Sequence, residues 1–210
     1  MKYISVILFT FTTIFAVPSS SYGETMDELV YREDTYYAKF TDVPFSGEIR
    51  GMFQGMIRDG KKEGLWREYH SNGQLDVKAN YTNHELDGAF VSYTSDGSVL
   101  DRGNYRKGKR EGSWEISLHR DHPSTFKTEP NQIETVNFVN GIKQGTFLTH
   151  YARTQEIASK GEYREGKLDG VFVSYHYDIG SIKEKMFYKN GELDGISVSY
   201  HTNGNIKTKT

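Results

Sequence analysis

From about residue 64 to the C-terminus, short runs of alternating apolar and polar residues recur between small polar turns. LWREYHS (65–71) and VFVSYHY (171–177) are of strand length and rich in aromatic and β-branched residues. SNG (71–73), SDG (95–97), DIG (178–180) and TNG (202–204) mark turns. Their glycines, Gly73, Gly97, Gly180 and Gly204, supply the positive φ that a tight hairpin requires. A second apolar run then ends on Tyr81, Tyr105, Tyr163 or Tyr188. ELDG (85–88), KREG (109–112), IKQG (142–145), KLDG (167–170) and ELDG (192–195) read as polar connectors to the next unit.

The units align on Gly64, Gly88, Gly112, Gly145, Gly170 and Gly195, at intervals of 24, 24, 33, 25 and 25 residues. Two positions on stand Trp66, Phe90, Trp114, Phe147 and Phe172, and Ser197 in the last unit. Tyr69, Tyr93, Tyr175 and Tyr200 follow at the fifth position, with Tyr151 at the sixth. Each unit predicts one hairpin, and a lone hairpin is marginal in water, so the hairpins should join edge to edge. The expected fold is all-β: an elongated, single-layer antiparallel meander. Alternation places Ala89-Val91-Tyr93, Val171-Val173-Tyr175 and Ile196-Val198-Tyr200 on one continuously apolar face. The aromatic row beginning at Trp66 falls on the other face, among small polar groups.

Outside the full units, 44–63 reads as a shortened leader hairpin and 24–43 as a cap over the first edge, giving a repeat domain of 44–210. Lys2 followed by an apolar run from Tyr3 to Val17 reads as a signal peptide over 1–23, with Ser21 and Gly23 as the small residues before a cut. This predicts export, to the periplasm or outside the cell, with an uncleaved membrane anchor as the alternative reading of the same run.

The pattern G-x-W-x-x-Y-x-x-N-G, then Y-x-x-G-x-x-x-G, is clearest in 64–88 (GLWREYHSNGQLDVKANYTNHELDG). It resembles the variant MORN repeat. Over roughly 40–210, with VPFSGEI (43–49) as a lead-in, the chain is similar to the YwqK-like antitoxin family. The resemblance implies an elongated single-layer sheet and a role in protein interaction, sometimes as the neutralising partner of a toxin. It carries no catalytic residue onto this chain.

Composition narrows the chemistry. There is no cysteine, hence no disulfide, thiolate nucleophile or thiolate metal site. The 26 basic and 28 acidic residues give a formal charge of −2, without the strong positive field that nucleic-acid binding relies on. The serines of VSY and the acids before glycine recur once per unit, whereas an active site is assembled once. These features predict a non-enzyme without metal or cofactor. His70, His176 and His201 share one repeat position. Equivalent strands lie about 9.6 Å apart, too far for a shared zinc, so a solvated column is expected.

Two places are candidates for binding a partner. An exposed row of Trp66, Phe90, Trp114, Phe147 and Phe172 would form an apolar patch, since a single-layer sheet cannot bury both faces against itself. The unit at 112–144 is longer than its neighbours, and its excess falls in 119–131, with His119, His122 and Phe126. Insertions in repeat arrays often make contacts. The partner expected is another protein, in an immunity, antitoxin-like or scaffold role. The alternative is a glycan or membrane surface bound by the aromatic face.

Overall fold

The computed structural model describes residues 23–118, 131–177 and 179–210. It is an all-β chain apart from one 3-10 turn at Met26–Glu28. The strands are β1 (Leu29–Arg32), β2 (Thr35–Ala38), β3 (Gly47–Ile49), β4 (Phe53–Arg58), β5 (Lys61–Tyr69) and β6 (Leu75–Thr82). They continue as β7 (Glu85–Tyr93), β8 (Val99–Arg106), β9 (Lys109–Ser117), β10 (Gln132–Val139), β11 (Ile142–Tyr151) and β12 (Ile157–Arg164). The last are β13 (Lys167–Leu168), β14 (Gly170–Tyr175), β15 (Ile182–Lys189), β16 (Glu192–Leu193), β17 (Val198–Tyr200) and β18 (Ile206–Lys209). From β3 to β18 they form one antiparallel meander in sequence order, with β13 and β16 pairing at its side. The expected single-layer sheet is thus the observed fold.

The turns are divided differently from the sequence reading. One class does fall at SNG and its equivalents. There His70 N–H donates to Gln74 O (2.8 Å) and Gly73 N–H to His70 O (2.9 Å), with Gly73 alone at positive φ. That is the type I turn with a left-handed glycine used by three-residue hairpin loops. The second class is not at the connectors. ELDG opens β7 and KREG opens β9. The chain reverses just before them, at Asn83-His84 (φ 49°, 73°) and Lys107-Gly108 (φ 48°, 71°). Two successive positive φ values are the signature of the two-residue turn whose twist matches that of its strands. The aligning glycine lies inside the strand: Gly64 and Gly112, at φ 69° and 70°, mark bulges where β5 and β9 shift register against β4 and β8.

At the N-terminal end the β1–β2 hairpin makes a small sheet of its own. It is tied on by Tyr36 N–H to Gly60 O (2.9 Å) and by Phe45 N–H to Tyr36 O (2.8 Å). Leu29 joins Ile49, Ile57 and Trp66 in a buried cluster. A second cluster gathers Trp114, Val136, Phe138 and Phe147 from β9, β10 and β11.

Candidate binding face

One face of the sheet is built around the aromatic of each unit. Across the strands Trp66 stands opposite Ala79, Ala79 opposite Phe90, Phe90 opposite Gly103, Trp114 opposite Val136, and Phe147 opposite Gly161. Rings therefore alternate with small or slender residues, and Trp66, Trp114 and Phe147 cover Gly55, Gly103 and Gly161 on the adjacent strands. A Cβ on Gly55 would come within 2.7 Å of Trp66 Cγ, and one on Gly103 within 2.6 Å of Trp114 Cγ. Both indoles also donate Nε1–H to a carbonyl beside that glycine: Trp66 to Met56 O (3.2 Å) and Trp114 to Asn104 O (3.1 Å). Pairing the indole N–H removes the penalty of burying it.

Cations roof this aromatic row. Arg110 Cζ lies 4.4 Å from the Trp114 ring centre, and Lys62 Nζ lies 4.4 Å from that of Trp66. Arg110 pairs with buried Asp101 at 3.0 Å, and Lys143 pairs with buried Glu134. Tyr163 donates its hydroxyl to Glu134 (3.2 Å) and lies under Lys143. Burial, then the Glu134 charge, raises the Tyr163 pKa, and burial pushes the Tyr81 hydroxyl up to about 12.

This packing corrects the expected exposed aromatic row. Trp66, Trp114 and Phe147 are 1%, 0% and 4% exposed, and Phe90 and Phe172 are half-buried against them. Sheet packing consumes the rings, because glycine, tyrosine edges and cation roofs enclose them without a second layer. His119, His122 and Phe126 lie outside the described residues. Of the solvated column, His70 and His176 instead bridge units. Their Nε2 atoms stand 3.1 and 3.0 Å from the carbonyls of Tyr93 and Tyr200, so that nitrogen carries the proton. In the unit just before that of His176, Tyr151 takes the same position and donates to Tyr175 O (3.4 Å). Among the described residues no group of three or more His, Asp or Glu gathers as metal ligands would.

The opposite face is the open one, and it is not continuously apolar. Its central row can be followed through the register: Arg67, Lys78, Val91, Arg102 and Glu115 on successive strands β5 to β9. It resumes as Leu148, Lys160, Val173, Lys185, Val198 and Lys209 from β11 to β18. Tyr69, Tyr93, Tyr175 and Tyr200 flank it two residues along their strands, and Lys160 Nζ lies 5.8 Å from the Tyr175 ring centre. Two shallow depressions open here. One of about 380 Å³ is lined by Leu148, Lys160, Val171 and Val173, the other of about 290 Å³ by Val91, Arg102, Asn104 and Glu115. The basic positions escaped the sequence reading although a signal existed. Lys78, Arg102, Lys160, Lys185 and Lys209 all fall fourteen or fifteen residues after their unit's glycine.

With that geometry in view, two stretches, 62–83 and 193–210, match the MORN repeat variant family model. A search of curated proteins returned no match to this chain. The first stretch covers β5, β6 and the Ser71–Gly73 turn, and the second covers the last hairpin, so the matches fall on hairpin units of the meander.

Proposed function

We propose that this chain is an exported, non-enzymatic repeat protein that works by binding another protein through the open face of its sheet. The MORN-type repeat suggests a binding or scaffold protein in the coarse sense. The observation that supports the finer reading is the asymmetry of the two faces. The aromatic side chains are used up in packing, while the opposite surface keeps Lys78, Arg102, Lys160, Lys185 and Lys209 in solvent. An array of this shape presents a long, regular contact area without needing any cavity. An immunity or antitoxin-like role is one form of this reading, and the apolar leader over 1–23 is what motivates export. Glycan or membrane binding by the aromatic face finds no support in rings this deeply enclosed.

The test is crosslinking of the tagged full chain in its native host, followed by fractionation and mass spectrometry. The expected result is one dominant protein partner in the envelope or medium. A chain that is cytoplasmic, or that crosslinks to no protein, sinks the proposal.

A further inference from the structure

Lys160, Lys185 and Lys209 occupy one cross-strand row of the open face, and we propose that this row is a track for an acidic, polyproline-II-like segment of a partner protein. The inference rests on the protein-binding reading above and names the partner's chemistry.

The register carries the argument. Lys160 stands opposite Val173, Val173 opposite Lys185, Lys185 opposite Val198, and Val198 opposite Lys209. The charge therefore recurs on every second strand, with a valine between. Leu148, on the far side of Lys160, extends the alternation. All three lysines are exposed, and among the described residues none has a carboxylate within ion-pairing distance. Two residues back along β15 and β18, Lys183 and Lys207 are exposed and likewise unpaired. By contrast, Arg102 in the other half is already neutralised by Glu115, through two bonds of 2.7 and 2.8 Å. Thr135 takes the row's place in the enlarged unit and breaks the charge spacing. Arg67 and Lys78 stand on adjacent strands, so the spacing of one cation on every second strand is kept only in the C-terminal strands, beside the larger depression, which Glu162 also lines.

Spacing selects the occupant. Strands are about 4.8 Å apart, so successive lysines of the row recur at about 9.6 Å. A polyproline-II chain advances about 3.1 Å per residue with three residues per turn, so a side chain returns to the same side every 9.3 Å or so. An acidic residue at every third position would meet each lysine, and the residues between would rest on half-buried Val198 and on the floor that buried Val173 forms between Lys160 and Lys185. A β-extended segment presents one side every second residue, at about 6.7 Å, and falls out of step. The valines favour a peptide over a sugar polymer, because they offer apolar contact and no hydrogen bond. The Tyr175 ring, an aromatic of the kind that stacks on sugars, already carries Lys160.

Fluorescence anisotropy of the full chain with a labelled peptide of repeated Glu-Pro-Pro triplets tests this. A peptide of the same composition with its glutamates in one block, and a Lys-Pro-Pro analogue, serve as references. The triplet peptide should bind most tightly, and the lysine analogue not at all. The combined variant Lys160→Gln/Lys185→Gln/Lys209→Gln should weaken binding about tenfold or more. Arg67→Gln/Lys78→Gln should leave it nearly unchanged. These substitutions are at solvent-facing positions, and an unaltered melting curve verifies the fold. Equal binding by the block peptide, or no effect of the triple variant, overturns the proposal. So does heparin or phosphatidylserine vesicles binding more tightly than the peptide and losing that affinity in the triple variant. If a crosslinked partner is still held by the triple variant, the track fails and the protein-binding reading stands. If no partner exists, the wider reading fails whatever the peptide does.

Discussion

Gly103 in β8 lies directly beneath the indole of Trp114 in β9, and the indole N–H reaches past it to the carbonyl of Asn104. Gly55 and Trp66 repeat this relationship two units earlier, and Gly161 sits under Phe147 in the same way. The fully buried aromatic of a single-layer sheet is possible because the neighbouring strand gives up its side chain at that point.

Gly103→Ala should therefore destabilise by overpacking, on the order of 1–3 kcal/mol. Gly112→Ala tests a different mechanism, since a Cβ there meets nothing within 4 Å and the residue's demand is its φ of 70°. That substitution should cost about 1–2 kcal/mol. Urea unfolding measures both, and only Gly103→Ala should also disturb tryptophan fluorescence in the folded state.

The Asp101–Arg110 pair has apolar counterparts one unit earlier, at Val77 and Leu86. Arg110→Leu alone leaves a carboxylate whose side chain is 2% exposed without its guanidinium, at a cost of about 3–5 kcal/mol. Asp101→Val/Arg110→Leu should recover most of that loss, because the array already packs this combination. A double variant no more stable than Arg110→Leu would show that the pair does more than fill its place in the repeat.

His84 occupies a turn position that is glycine in Gly60, Gly108, Gly141, Gly166 and Gly191, and it adopts their positive φ. Its ring lies 5.7 Å from that of Tyr31 and 5.6 Å from that of Tyr36, holding the β1–β2 hairpin against β5. Burial lowers its pKa, Asp34 opposes this, and Lys62 and Lys61 reinforce it. The unfolded chain thus takes up the proton first as pH falls. The contribution of His84 is complete above its ordinary pKa near 6.5 and declines as pH drops through the lower folded value. Protection of the β1 and β2 amides, corrected for intrinsic exchange, should fall as pH drops below about 6.5, and His84→Gly should abolish that dependence.

His176 ties its unit to the next through the Tyr200 carbonyl. His176→Phe should cost about 0.5–1.5 kcal/mol. Faster amide exchange should be confined to β17 and β18, the strands that this bond ties to β14. Global unfolding of the whole sheet at the same rate would contradict this.

Much of this protein was legible because repetition amplifies weak local signals. The Asn-Gly and Asp-Gly turns, the strand-length aromatic runs and the fixed spacing of Gly64, Gly88 and Gly112 specify hairpins in series. ELDG reads as a connector between units yet opens β7, because a left-handed glycine looks the same in a bulge as between strands. Asn83-His84, the actual reversal, carries no glycine at all.

The sequence alone determined the meander, its period and the alternation of side chains between two faces, since these follow from local backbone preferences and the two-residue pleat. Which face was buried depended on partners distant along the chain. Gly103 takes its meaning from Trp114, Asp101 from Arg110, and Lys160 from Val173 and Lys185 beyond it. Those pairings are set by bulges that shift the register within each hairpin, and only the folded sheet fixes the shift. Aromatic residues that alternation had left facing solvent were thereby enclosed. The lysine row became the open surface.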